Sequence, residues 1–229
     1  MDSRPEIKSH LAATPRPVTA RTRALVIFLD KMIFQLAKHW LLVFNLVTGI
    51  YAGLPFLAPA FMAWGLTSWG KVIYTLYIPA CHQLPWRSFF LFGAHPAYTF
   101  QALQDALGPE GSLILWQGRN FYGTPLLGYK MAYCQRDTAI YTAIFLTGLC
   151  FALLRRRLKP LPWHWFFVSI LPLAVDGTGQ LLGLWESTPL SRVLTGGVFG
   201  ITGVWLTYPY LEEGMNEVKQ TLTDRFGWQ

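Results

Sequence analysis

Residues 40–62 form an apolar run broken only by Asn45, Thr48 and small residues. At about 1.5 Å of rise per residue, a helix of roughly 20 such residues crosses the hydrocarbon core of a bilayer. Backbone polar groups in lipid must be satisfied within the segment itself, so a chain with several such runs is confined to a helix bundle. Further apolar runs lie at 138–154, 163–185 and 190–211. Composition agrees: 52% of residues are hydrophobic and 14% charged, with Trp at 10 positions, against roughly 25% charged in ordinary soluble domains. The predicted fold class is therefore all-α: a polytopic membrane helix bundle of about four transmembrane helices plus interfacial or re-entrant helices.

The remaining segments fit around that frame. Residues 1–23 are polar, with Pro5, Pro15 and Pro17, and read as a flexible cytoplasmic tail rather than a cleavable signal peptide. Residues 24–38 mix apolar positions with Asp30, Lys31, Gln35 and Lys38, a pattern that predicts an interfacial amphipathic helix feeding the first span. Pro55 and Pro59 are expected to kink or end that span. Residues 65–80, interrupted by Lys71, read as an interfacial or re-entrant helix ending at Pro79, and residues 93–133 as a charged, glycine-containing loop with short helices lying on the membrane. Gly196 and Gly200 have the small-x-x-x-small spacing that permits close helix packing. The membrane domain thus covers 24–211, with an exoplasmic loop at about 63–137 and a cytoplasmic tail at 212–229.

Charge sets the expected orientation. The net charge of +7 comes from basic residues beside apolar segments rather than from a soluble basic module, which excludes nucleic acid and points to anionic membrane lipids. The cluster at 155–159 and the basic residues of the amino-terminal segment both belong inside, so four spans put both termini in the cytoplasm. A five-span alternative that counts 65–80 as a crossing breaks one of these anchors.

In that topology Cys81, His82, Arg87, Cys134, Arg136 and Asp137 share one side of the membrane with Asp176, Gln180, Glu186 and Arg192. Ionisable groups in a bundle need partners or a function. Asp176 is expected to pair with Arg136 or Arg192, to accept hydrogen bonds, or to be protonated. Cys81 and Cys134 admit three readings: buried small side chains, a disulfide, or a site for zinc or another transition metal with His82 and Asp137 or Asp176. Arg87, Arg136 and Arg192, with Asp176 and Gln180, form a candidate ligand- or cofactor-binding set, because guanidinium forks suit a phosphate or a carboxylate. Cys150 reads as packing, and His39 and His164 as interface anchors. The phosphate-binding glycine loop, the His-Glu-x-x-His helix, the Gly-x-Ser-x-Gly elbow and Cys-x-x-Cys are all absent from the sequence.

The ordered set Cys81-His82-Gln83-x-Pro85-x-Arg87-Ser88-Phe89, Cys134-x-Arg136, Asp176-Gly177-x-x-Gln180 and Arg192-x-x-Thr195-Gly196 resembles a bacterial and archaeal family of small predicted integral membrane proteins classified as a domain of unknown function. The resemblance covers about 74–211 and implies a prokaryotic plasma membrane or photosynthetic membrane. Family members carry a second cysteine where this chain has Asp137, which weakens a thiol-redox reading and leaves a mixed cysteine, histidine and carboxylate site.

Three function classes follow. The first is a small membrane subunit or assembly protein of a larger membrane complex. The second is a metal-assisted membrane enzyme acting on an amphiphilic or lipid-linked substrate. The third, transport, requires an oligomer, since four spans are few for a carrier.

Overall fold

The computed structural model describes residues 19–155 and 157–228. The tail expected over 1–23 falls almost wholly outside them, and its last residues already belong to the first helix. In chain order the elements are α1 (Ala20–Ala63), α2 (Thr67–Leu76), β1 (Ser88–Leu91), α3 (Phe100–Leu107), α4 (Gly111–Trp116), β2 (Gly123–Thr124), β3 (Gly128–Cys134), α5 (Gln135–Leu154), α6 (Trp163–Leu181) and α7 (Pro189–Phe226).

The protein is mostly helical, but it is not all-α. A three-stranded antiparallel sheet of order β1-β3-β2 occupies the region expected to be loop and membrane-lying helices. β3 reads Gly-Tyr-Lys-Met-Ala-Tyr-Cys and is buried along nearly its whole length, so it lacks the alternation that marks a half-exposed strand. The chain leaving β1 passes close to the start of β3: a Cβ on Gly93 would fall 2.0 Å from the Leu127 carbonyl oxygen, and Gly128 sits at φ +82.

α1 is one continuous helix through both the segment expected to be interfacial and the first expected span. It starts at Thr19, whose hydroxyl accepts the Thr22 N–H at 3.3 Å, and continues through Pro55 and Pro59. A proline inside a helix strands the carbonyl four residues back. Here Pro55 strands Tyr51, and the Tyr77 hydroxyl donates to that oxygen at 2.7 Å. α7 repeats the device: Pro209 strands Trp205, whose oxygen accepts the Leu161 N–H at 3.3 Å. α7 also passes residue 211, the end expected for the last span, and closes after Phe226 at Gly227, φ +68. α6 stops at Leu181, short of the expected 185.

Among the described residues two helices, α1 and α5, are long and apolar enough to cross a membrane; only 28% and 17% of their apolar windows are buried within the protein. Most of that apolar surface therefore faces outward. α6 and α7 pack beside them, with α7 seated on α5 through its glycines. A Cβ on Gly196 would lie 2.8 Å from the Arg136 carbonyl oxygen, and one on Gly200 2.6 Å from that of Ile140, so the small-residue spacing sets a close backbone approach. At one end of the bundle Trp40 Nε1 donates to Glu212 Oε2 at 3.0 Å. At the other, the starts of α5 and α7 and the end of α6 meet below the sheet.

Tyr77→Phe is expected to lower the unfolding free energy in detergent by about 1–2 kcal/mol by leaving the Tyr51 carbonyl unpaired. In a Pro55→Ala background, where the residue 55 N–H can take that carbonyl, the loss should shrink towards zero. Equal losses in both backgrounds would contradict this account of the proline.

Candidate functional site

Strand pairing brings the first two motifs together. Ser88 opposes Cys134 across β1 and β3, so the end of one motif neighbours the start of the next. Within the first motif the chain reverses at Gln83, which takes the left-handed φ of 53. That conformation costs a non-glycine residue on the order of 1 kcal/mol. It is held by Gln83 Nε2 donating to the Tyr74 carbonyl at 2.8 Å and by Lys130 Nζ donating to the Gln83 carbonyl at 2.5 Å. The reversal turns His82 back beside Cys81, with Nδ1 at 3.7 Å from Sγ.

Cys81, His82 and Cys134 each offer a ligand atom, and these atoms lie within 4.8 Å of one another. Cys134 is the N-cap of α5. Its own N–H donates to Cys81 Sγ at 3.2 Å, its Sγ accepts the Asp137 N–H at 3.4 Å, and the same sulfur lies 3.1 Å from Asp137 Oδ2. Tetrahedral zinc, with bonds of about 2.3 Å to sulfur and about 2.0 Å to nitrogen, sets its ligand atoms roughly 3.5–3.8 Å apart. Cys81, His82 and Cys134 fit such an ion with shifts of about an ångström, and Asp137, outside that group, reaches the site through its contact with Cys134. All three cysteines are free thiols, and Cys150 is exposed on α5, away from the pair. The Cys134 thiol, then burial, then Asp137 push the Cys81 thiol far above its ordinary range. Burial, helped by the charge of Arg87, lowers the His82 imidazole and keeps a lone pair available at neutral pH.

These residues form one wall of a cavity of about 440 Å³, whose other lining includes Arg87, Arg119, Arg136, Gln180 and Arg192. Asp176 stands behind that wall and answers the choice left open by the sequence: it pairs with Arg136, while Ser191 Oγ donates to its other oxygen at 3.4 Å. Arg192 is 3% exposed. Its Nη1 donates to Gln135 Oε1 at 2.9 Å, and its Nη2 lies 3.7 Å from Glu186 Oε1. Gln180 satisfies its neighbours when its amide nitrogen donates to Ser187 Oγ at 2.9 Å; its oxygen then lies 3.2 Å from Arg192 Nη2 and at 2.8, 2.8 and 3.2 Å from the three nitrogens of Arg87. An oxygen nearly equidistant from all three nitrogens sits over the guanidinium face, so it does not use the in-plane N–H groups of Arg87. Among the described residues, Arg136 Nε and Arg192 Nε are buried without a partner.

Residues 118–206 match the family described as "Predicted membrane protein (DUF2085)". The chain is also 30% identical, over 183 residues, to "Uncharacterized protein MJ1492" of Methanocaldococcus jannaschii, an alignment covering 77% of this chain and 94% of that protein. It belongs to the DUF2085 family. No solved structure matches it. The predicted membrane location of the family agrees with the two outward-facing apolar helices.

For this DUF2085 member the structure unites eight of the nine candidate site residues around one cavity and sets Asp176 directly behind it. Sequence reasoning gave no role to Arg119, Gln135 or Lys130. Gln135 is fully buried and bridges elements, its Nε2 donating to the Ser88 carbonyl at 3.2 Å while its oxygen takes Arg192. A polar residue enclosed in the Cys134-x-Arg136 motif was the available signal. Lys130 is 0% exposed, and its Nζ donates to the carbonyls of Gln83 and, at 2.8 Å, Arg119. Burial lowers its pKa to about 7. Nothing in the sequence of β3 distinguishes Lys130 from a surface lysine.

Gln135→Leu leaves the Ser88 carbonyl and an Arg192 N–H unpaired, and is expected to cost about 2–5 kcal/mol of unfolding free energy in detergent; a loss below about 1 kcal/mol contradicts the bridging role. Lys130 makes stability depend on pH. Its folded pKa of about 7 lies below the ordinary lysine value of roughly 10.4. Between those values the unfolded chain holds a proton that the folded chain does not, so this contribution to stability rises with pH. The melting temperature of wild type relative to Lys130→Met should therefore climb from about pH 7 to about pH 10; a flat or falling difference contradicts the assignment.

Proposed function

We propose that the protein is a metal-assisted membrane enzyme whose cavity receives the polar head of an amphiphilic substrate. The observation that carries this reading is the meeting of two buried thiols, an imidazole and a carboxylate, with ligand atoms of the first three within 4.8 Å, in the wall of an arginine-lined cavity. Cys81, His82, Cys134 and Asp137 would hold zinc or another transition metal ion. Such an ion supplies Lewis-acid polarisation of a bound oxygen. The chain's own part is to bind and orient: Arg136 is fixed by Asp176 and Arg192 by Gln135. Asp176, tied to Arg136 and Ser191, is a fixed counter-charge, and Asp137 is the carboxylate that faces the cavity.

The same reading takes α6 and α7 as third and fourth spans beside α1 and α5. The cavity end then lies exoplasmic, and both termini lie on the cytoplasmic side of a prokaryotic plasma or photosynthetic membrane. The basic residues at 155–159, at the opposite end of α5 from the cavity, support that orientation.

A subunit or assembly role has its own supporting observation. α1, 44 residues long, is longer than a bilayer core requires, and its first half exposes Leu25, Val26, Phe28, Leu29, Met32 and Ile33 along one face. A partner helix or the membrane interface would cover them.

Metal analysis of detergent-purified protein tests the first reading. About one transition-metal ion per chain is expected, with near-complete loss in Cys81→Ala and Cys134→Ala and a fall in affinity of about 10–100-fold in Asp137→Asn. Metal-free wild type, or metal retained in both cysteine variants, overturns it.

A further inference from the structure

We infer that the group recognised in the cavity is a phosphate monoester, presented as the head of an amphiphile. This deepens the proposed enzyme reading by naming its substrate class and rests on the same cavity. The first observation is a pair of unused buried donors. Arg192 is 3% exposed and lines the cavity, yet its Nε has no partner among the described residues, and Arg136 Nε is in the same state. An orphaned guanidinium N–H in a buried setting costs free energy unless an acceptor arrives.

The second observation is the excess of cationic donors. Arg136 has Asp176 and Arg192 has the more distant Glu186, but among the described residues no carboxylate lies within 4.0 Å of Arg87 or Arg119. Arg87 meets only an amide oxygen over its face. The third is direction. Arg87 follows the turn before β1, Arg136 lies in the first turn of α5 and Arg192 near the start of α7, so the guanidiniums approach from separate elements. A carboxylate offers two oxygens in one plane, whereas a tetrahedral oxyanion offers acceptors in three directions to separate forks. α5 also begins at the cavity, and helix starts favour anions.

The mouth of the cavity selects the carrier. Ile78, Pro79 and Ala80 line one side. Beside Gln180, the end of α6 exposes Leu181, Leu182 and Leu184 at 85%, 67% and 67%. An apolar tail would leave the cavity along these residues into the bilayer, while the phosphate stays among the arginines.

The test is equilibrium binding to the detergent-purified full chain, with metal content measured on the same samples. Probes are a short-chain phosphatidic acid, inorganic phosphate, the matching phosphatidylcholine and acetate. Phosphatidic acid should bind, and bind at least about tenfold more weakly to Arg87→Gln and to Arg119→Gln. These residues lie outside the buried Gln135–Arg192 link, so folding of both variants is checked by melting temperature. Phosphatidylcholine and acetate should not compete. Phosphatidic acid binding well above inorganic phosphate identifies the amphiphile; equal binding keeps the phosphate assignment and overturns the lipid carrier. No binding of either phosphate probe, binding unchanged in both variants, or equal competition by acetate overturns the inference. Metal present without phosphate binding defeats this inference alone, and phosphate binding without metal defeats the metal reading alone.

Discussion

The antiparallel pairing of Ser88 with Cys134 is the constraint on which the site depends. It joins two segments far apart in sequence, and it does so at the point where β3 becomes α5. Cys134 is thus the last residue of a strand and the N-cap of a helix, which fixes its sulfur within reach of Cys81 on one side and Asp137 on the other. Gln135, next in the chain, carries the same constraint into the bundle by holding the Ser88 carbonyl and the Arg192 guanidinium together. Two short strands and one amide side chain therefore hold together residues drawn from separate turns, strands and helices.

The bundle below supplies rigidity rather than chemistry. α7 can seat on α5 because Gly196 and Gly200 leave room for the opposing backbone, and that contact carries Arg192 to the start of α5. The carbonyls stranded by Pro55 of α1 and Pro209 of α7 are taken by a tyrosine hydroxyl and a linker N–H, and both helices continue past these prolines. The Tyr77 contact has a second consequence: it ties α1 to the segment just before Cys81. Around it Tyr51, Tyr77, Tyr133 and Tyr141 pack edge to face, tilted or stacked, with centroids 4.8–5.7 Å apart, forming an aromatic floor under the thiols.

The long helices were legible in the sequence because hydropathy over some 20 residues is a strong signal, and the polar residues were legible because each is expensive in such a chain. Cys81, His82, Cys134 and Asp137, and the arginines at 87, 136 and 192, stood out for that reason. The sheet did not. β1 and β2 are 4 and 2 residues long, and β3 is buried on both faces, so periodicity had nothing to report. Lys130 and Gln135 were hidden for a related reason: their importance lies in partners that only strand pairing brings near. The continuity of α1 through Pro55 was equally invisible, since the hydroxyl that rescues it comes from residue 77.

Convergence of the two cysteines is the central claim, and a short bifunctional thiol cross-linker measures it directly. In a Cys150→Ser background, after chelation of metal, the reagent should bridge Cys81 to Cys134 within one chain, detected as a single linked peptide pair. Independent alkylation of the two thiols, with no linked pair, would contradict the strand pairing and the cavity built upon it.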